Sequence, residues 1–232
     1  MAKLIVSINQ IEDAERLQEV NSLIWGLKVH TLVLKHGAPK LIDRLKVMGF
    51  QNVFVDLKLR DIPEIMGEEV FELINAGADI VSVDGDAENR GLKIASAVAS
   101  GEKKGRLACT TTTALSSDHV TLSDAEIMQK MFESSMKAVV ADIPMVIGNP
   151  RFFKDVAIPE KSFEIITPGI RPTWYEGTSE GHVRTMTPYV AVEAGSDYLV
   201  VGRPITLNEN PARAVWTILK EMSNGKGNVQ AV

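Results

Sequence analysis

The sequence predicts an α/β protein folded as a single (β/α)8 barrel, the TIM-barrel architecture, and three observations carry that prediction. Eight short apolar runs rich in Val, Ile and Leu recur along the chain, as is typical of strands buried on both faces of a parallel sheet. Stretches with helical spacing of apolar residues lie between these runs. Eight units in 232 residues average about 29 residues each, which favours a closed barrel over an open sheet.

The predicted elements follow one another in chain order. The strands are Leu4–Ile8, Leu27–Leu34, Val53–Leu57, Ile80–Val83, Leu107–Thr112, Ala138–Ala141, Phe163–Thr167 and Tyr198–Val201. Helices are predicted where apolar residues recur three or four positions apart, in Ile11–Ser22, Ala38–Met48, Pro63–Ala76 and Pro211–Met222. Gly77 and Gly195 each stand in an Ala-Gly turn, which indicates the end of a helix before the next strand.

Composition defines the domain organisation and excludes several classes of protein. No change of composition divides the chain, so we expect residues 1–222 to form one barrel domain and residues 223–232 a disordered tail. A net charge of −5 is the wrong sign for binding a nucleic-acid polymer. Without a targeting segment or a membrane-length apolar run, we expect a cytoplasmic protein. The single cysteine, Cys109, excludes an intrachain disulfide and is expected to be a buried, inert thiol.

Charged residues interrupt two apolar strands near the mouth of the barrel, the end at which such barrels bind substrates. Asp56 and Lys58 are two residues apart and should face the same way on a strand. Burying both is costly unless they serve chemistry or form a structural ion pair. The structural alternative also makes Asp61 a helix N-cap with Pro63 in the first turn. Lys28 either joins the same site or extends to the rim.

Glycines and an arginine follow the seventh and eighth strands, where barrels usually bind phosphate. Gly169 and Gly202 let backbone N–H groups approach an anion, and Arg203 adds a forked cation. Ordinary turns with a surface arginine are the alternative. The long segment Pro172–Thr187 is expected to be a lid or, failing that, a surface loop. The four histidines lack the spacing of metal ligands, so no metal site is predicted.

These motifs resemble the bacterial type of the orotidine 5′-monophosphate decarboxylase family over nearly the whole chain. The segment Asp56-Leu57-Lys58-Leu59-Arg60-Asp61-Ile62-Pro63 matches that family's D-x-K-x-x-D-I-P motif. Its two phosphate loops match Thr167–Pro172 and Val201–Thr206, and the segment after its lid matches Val183–Pro188. The resemblance implies decarboxylation of orotidine 5′-monophosphate to uridine 5′-monophosphate in pyrimidine biosynthesis, without a cofactor.

The resemblance also assigns roles to residues. The implied catalytic residues are Lys28, Asp56, Lys58 and Asp61. Lys58 would protonate C6 of the pyrimidine after CO2 is lost, and Asp56 would lie against the departing carboxylate. Asp61 would come from the other subunit of a homodimer. The implied substrate contacts are Asn9, Ile62, Thr113, Gly169, His182, Gly202 and Arg203.

Four positions depart from the pattern of that family. Asn9 stands where the family has an aspartate, Ile65 replaces a threonine, His182 a glutamine and Asp84 a histidine. Three of these positions surround the ribose phosphate, so weakened binding and a changed substrate both stay open. Two further functions are therefore carried as alternatives. One is a magnesium-dependent sugar-phosphate decarboxylase or aldolase of related barrels, which Lys28 disfavours; the other is a non-catalytic binder of nucleotide phosphate.

Overall fold

The computed structural model describes residues 2–101, 105–111, 123–153, 163–177 and 185–224. Parallel strands close into a barrel in which each strand pairs with the next along the chain and the last pairs with the first. They are β1 (Lys3–Ser7), β2 (Gly26–Val29), β3 (Val53–Leu59), β4 (Ile80–Asp84), β5 (Arg106–Thr110), β6 (Met145–Ile147), β7 (Glu164–Thr167) and β8 (Tyr198–Val201). The predicted (β/α)8 barrel is confirmed.

Helices connect the strands on the outside of the barrel. Those in the described ranges are α1 (Ile11–Glu15), α2 (Thr31–His36), α3 (Ala38–Val47), α4 (Pro63–Asn75), α5 (Asn89–Ala99), α6 (Asp124–Val140), α7 (Pro188–Glu193), α8 (Arg203–Thr206) and α9 (Pro211–Asn224). Short 3₁₀ helices cover Gln18–Leu23 and Pro150–Phe152. None of the described helices is both long and apolar enough to cross a membrane. Because α9 reaches Asn224, the expected tail begins as helix; residues 225–232 lie outside the description.

Apolar side chains pack on both faces of the barrel strands, which explains why the strand sequences do not alternate between apolar and polar residues. Ile5, Phe54 and Ile166 belong to a cluster that fills the barrel, while Leu4 and Val55 belong to a second cluster packed under the helices. Successive strand residues therefore enter different layers, and both faces are buried. Interior positions nearer the carboxyl ends of the strands are the ones left for polar side chains.

Two predicted strands need correction. The predicted sixth strand, Ala138–Ala141, is wrong because these residues end α6 and form the turn after it, and β6 is the shorter run that follows. The apolar residues of this predicted strand belong to the long helix α6, which begins at a capping box on Ser123. Their spacing is therefore that of a helix and not that of a strand. The predicted second strand, Leu27–Leu34, ends at Val29, since α2 begins two residues later.

The two Ala-Gly turns are confirmed as helix ends. Gly77 and Gly195 have φ of +100° and +104°, a left-handed conformation that glycine adopts without strain. After the first turn, Asp79 accepts a hydrogen bond from Val53 N–H at 2.8 Å and donates its own N–H to the Val53 carbonyl at 2.9 Å. Asp197 pairs with β7 in the same two ways. Each aspartate thus ties the start of its strand to the preceding strand.

Candidate active site

Asp56 is the centre of a charged cluster inside the mouth of the barrel. Its Oδ2 accepts a hydrogen bond from Lys28 Nζ at 2.6 Å, and its Oδ1 accepts one from Lys58 Nζ at 3.0 Å. The hydroxyl of Ser82 donates to the same Oδ1 at 2.9 Å. The Asp56 side chain is only 9% exposed. The structure thus brings together three members of the expected array, Lys28, Asp56 and Lys58.

Electrostatics keep Asp56 ionised. Burial on its own would raise the pKa of the carboxyl group, but the Lys28 and Lys58 ammoniums, by charge and by hydrogen bonding, hold that pKa well below its usual range. Two cations against one anion leave the cluster with a net charge of +1. A cationic cluster at the mouth of a barrel is suited to an anionic group of a substrate.

A β-bulge in β3 sets the conformation of Lys58. Val55 pairs with Val81, and Leu59 pairs with Val83, so β3 has two more residues than β4 between these pairs. Lys58 has φ of +53°, in the left-handed region that side chains other than glycine rarely adopt. Simple strand alternation therefore predicted the right neighbours for the wrong reason. The bulge, and not an undistorted strand, brings Lys58 to Asp56.

In the described part of the chain, Asp61 shares no hydrogen bond or ion pair with Lys28, Asp56 or Lys58. The prediction of Asp61 as N-cap is wrong: Ile62 precedes the first helical residue, Pro63, and no side chain caps this end of α4. The Asp61 carboxylate instead accepts a hydrogen bond from Ile62 N–H at 2.6 Å. Among the described residues, Asp61 makes no ion pair with Lys28 or Lys58. The expected place of Pro63 in the first turn is confirmed.

Three further polar side chains surround the mouth. Asp84 ends β4 and pairs with Arg60, with 3.6 Å between Oδ2 and Nη1. Ser7 of β1 is in register with Lys28 of β2. Asn9 lies two residues after Ser7, and His30 lies two residues after Lys28. Partial desolvation, followed by the charge of Lys58, lowers the pKa of His30 from its ordinary value.

Arginines collect at the carboxyl ends of β7 and β8. Arg203 is the first residue of α8, directly after Gly202. Burial, followed by the charge of Arg203, lowers the pKa of Arg171, so the two guanidinium groups lie close enough to repel each other. Gly169 has φ of +73°, which makes glycine the favoured residue in this turn. Two neighbouring cations beside a glycine turn suit a multiply charged anion such as phosphate.

The segment expected to form a lid is joined at its two ends. Arg171 N–H donates to the Met186 carbonyl at 2.8 Å, and Ile170 and Met186 form an isolated parallel bridge. Two expected substrate contacts, Thr113 and His182, lie outside the described residues. No three His, Cys, Asp or Glu side chains of the described ranges form a group that would hold a metal ion.

The chain matches a known protein family over most of its length. The profile of the "Orotidine 5'-phosphate decarboxylase / HUMPS family" matches residues 2–218. The chain belongs to this family. The orotidine 5′-phosphate decarboxylase of Saccharophagus degradans is 30% identical over 216 residues, which cover 90% of this chain and 89% of that protein. The enzyme of the same name from Lactococcus lactis subsp. cremoris is 34% identical over 198 residues, covering 80% and 81%.

A solved structure supports the fold of this family member. The crystal structure of orotidine 5′-phosphate decarboxylase from Lactobacillus acidophilus has a TM-score of 0.72 and 24% identity, covering 96% of this chain and 100% of that one. The family resemblance inferred from the motifs is confirmed. The names of the relatives support the enzyme class expected from the sequence, a carboxy-lyase.

Two residues at the site of this family member were not predicted from the sequence. Ser82 binds both Asp56 and the backbone of Lys58, and its signal was a lone hydroxyl within an apolar strand. For His30 the signal is its position two residues beyond Lys28, which indicates the mouth of the barrel.

Proposed function

We propose that this protein decarboxylates orotidine 5′-monophosphate to uridine 5′-monophosphate, with Lys58 as the proton donor. The observation that carries the proposal is the carboxylate of Asp56 held between two ammonium groups, at 2.6 and 3.0 Å, inside the mouth of the barrel. The substrate would lie between this cluster and the arginines beyond β7 and β8. It carries a carboxylate at one end and a phosphate at the other, and the two cationic regions match that pattern.

The chemistry requires a fixed cation beside the reacting carbon. When the bond between C6 and the carboxylate breaks, CO2 leaves without the electron pair, which stays on C6 as a carbanion. The Lys58 ammonium stabilises this charge as it develops and then transfers a proton to C6. The neutral amine regains a proton from solvent. Atoms and electrons balance without an oxidant, a reductant or a cofactor.

Asp56 and Lys28 prepare Lys58 for that step. The ionised Asp56 accepts a hydrogen bond from the Lys58 ammonium at 3.0 Å and so holds the proton donor in place. Next to the substrate carboxylate it also disfavours the ground state, which the loss of CO2 relieves. Lys28 binds the other oxygen of Asp56 and keeps the carboxylate in place.

The phosphate end supplies binding energy far from the reacting carbon. In the proposal, Gly169 and Gly202 present backbone N–H groups to the phosphate, and Arg203 and Arg171 pair with its charge. Binding energy gained there lowers the barrier at C6 where it helps to hold the ring against Lys58. Asn9, adjacent to His30 at the mouth, is proposed to bind a ribose hydroxyl.

A homodimer would complete the site. We propose that Asp61 enters the cluster of a second subunit, because among the described residues of its own chain it forms no ion pair with Lys28 or Lys58. The adjacent surface supports this arrangement: Ile62 is 60% exposed and Ile65 is 37% exposed at the start of α4. A protein interface favours burial of such apolar side chains next to a polar residue.

The alternative of a magnesium-dependent reaction on a sugar phosphate is less well supported. Both oxygens of Asp56 already accept hydrogen bonds from Lys28, Lys58 and Ser82, and a metal ion would have to displace these donors. Lys28 also adds a positive charge where a divalent cation would need negative ones.

The decisive experiment follows the loss of orotate absorbance with the purified protein. The wild type should turn over orotidine 5′-monophosphate, and Lys58→Ala should abolish turnover while still binding uridine 5′-monophosphate. Lys220→Ala, on an exposed part of α9, is the matched control and should keep full activity. A folded wild type without turnover would refute the proposal. Activity on a pentulose or hexulose phosphate that requires magnesium would favour the related barrels, and nucleotide binding alone would favour the non-catalytic alternative.

A further inference from the structure

Ser82 lies on β4 directly across from the bulge that carries the cluster. It is fully buried, within a strand whose other interior and exterior residues are mostly apolar. Its hydroxyl oxygen accepts a hydrogen bond from Lys58 N–H at 2.8 Å, and the hydroxyl donates to Asp56 Oδ1 at 2.9 Å. A single side chain therefore contacts both the carboxylate of Asp56 and the backbone of Lys58, the proposed proton donor.

The direction of each of these two hydrogen bonds is determined by the group that Ser82 binds. A backbone N–H can only donate, so Ser82 must accept from Lys58, and an ionised carboxylate can only accept, so the hydroxyl proton points at Asp56. Asp56 Oδ1 also accepts from the Lys58 ammonium. The bonds form a closed loop that runs from the Lys58 backbone through Ser82 and Asp56 to the Lys58 side chain.

The bulge explains why such a loop is needed. Between the pairs Val55 with Val81 and Leu59 with Val83, three residues of β3 face the single residue Ser82. Lys58 has no register partner on β4, and its N–H donates to the Ser82 hydroxyl. A lysine at φ of +53° keeps that conformation only where the surrounding contacts favour it.

We propose that Ser82 is a positioning residue of the active site: by binding the Lys58 backbone and Asp56 together, it fixes the ammonium group beside the reacting carbon. It touches no substrate atom in this proposal and acts through Lys58. The inference rests on the proposed function, since the ammonium is the group whose position would limit the reaction. A displacement of about 1 Å in a reacting group can cost about a hundredfold in rate.

The test is the kinetics of Ser82→Ala on orotidine 5′-monophosphate. We expect kcat to fall about 10- to 100-fold, while KM and the affinity for uridine 5′-monophosphate change less than about threefold, because the phosphate contacts are intact. Ser82→Thr keeps the hydroxyl and should restore most of kcat. The matched control is Ser96→Ala, since Ser96 is also buried and its hydroxyl donates to the Asp142 carbonyl, outside the site.

Amide hydrogen exchange at Lys58 supplies a second measurement. Exchange should speed up in Ser82→Ala and stay slow in Ser96→Ala. If Ser82→Ala does not fold, Ser82→Cys keeps the volume with a weaker hydrogen-bonding group and should lower kcat in the same way. Full kcat in a folded Ser82→Ala or Ser82→Cys enzyme would overturn the role of Ser82 and leave the decarboxylase proposal standing. A wild type without turnover would overturn both.

Discussion

Replacing Asp56 with Asn removes the only anion from a cluster that holds two lysines. The shape of the side chain is kept and its amide oxygen can still accept hydrogen bonds, but the NH2 group that replaces the other oxygen cannot. The two ammonium groups then repel each other with no charge between them. The Lys28 and Lys58 side chains are 17% and 28% exposed, so solvent screens this repulsion only in part. We expect Asp56→Asn to destabilise the folded protein substantially.

The magnitude follows from the two contact distances. At 2.6 and 3.0 Å, each attraction is worth roughly 6 kcal/mol for an effective dielectric constant of about 20. The three groups lose hydration when they are buried, and this cost cancels most of the attraction. Deleting one partner of a buried pair costs about 3–5 kcal/mol, and partial exposure of the lysines puts the expected loss near about 3 kcal/mol.

Urea unfolding at neutral pH measures this loss, and a second variant tests its cause. Asp56→Asn combined with Lys28→Met removes one of the two uncompensated cations, and with it their mutual repulsion, and should recover at least about 1 kcal/mol. Since the folded pKa of Asp56 lies below its ordinary value of 3.8, its contribution is present above pH 3.8 and is lost as the pH falls below it. The wild type and Asp56→Asn should therefore converge in acid. A loss below about 1 kcal/mol at neutral pH, or a double variant less stable than the single one, would refute this account.

Two further predictions follow from single groups. Burial raises the pKa of the Cys109 thiol to about 12. A disulfide reagent at neutral pH should therefore leave the folded protein unmodified and label one thiol per chain after denaturation. Labelling of the folded protein would contradict this prediction. The pKa of His30 lies below 6.5 in the folded protein, so its contribution to stability is present above pH 6.5 and is lost as the pH falls below that value. His30→Asn should flatten the pH dependence of the unfolding midpoint below pH 6.5, and an unchanged dependence would show that another group causes it.

The sequence predicted the barrel because its evidence is repeated along the chain. Strands buried on both faces produce an apolar run in every unit, so an error in one unit does not change the architecture. The misplaced sixth strand illustrates this: Ala138–Ala141 belongs to the end of α6 and the turn after it, yet the count of units was unaffected. A short strand such as Met145–Ile147, next to a longer apolar helix end, offers too few residues for its period to be recognised.

The candidate site was predicted through residue types, because charges inside apolar strands are costly and therefore conspicuous. Lys28, Asp56 and Lys58 stood out for that reason, and they do meet. Asp61 did not stand out in the same way, since an aspartate before a helix already has an ordinary explanation. That explanation is wrong here, because the helix starts without a side-chain cap. A residue type with a common structural role is thus harder to single out from the sequence than a charge inside an apolar strand.

The backbone at Lys58 was beyond prediction for a different reason. The segment Val53–Leu59 reads as a regular strand, and a left-handed residue is ordinarily announced by glycine, asparagine or aspartate. A lysine is found there because its side chain binds Asp56, two residues before it on β3, while its N–H binds Ser82 of the neighbouring strand β4. Each contact stabilises a conformation that makes the other possible. Conformations of this kind depend on tertiary contacts, which a pattern of residue types along the chain does not contain. The sequence can therefore predict which residues form a site, but not the backbone geometry that positions them.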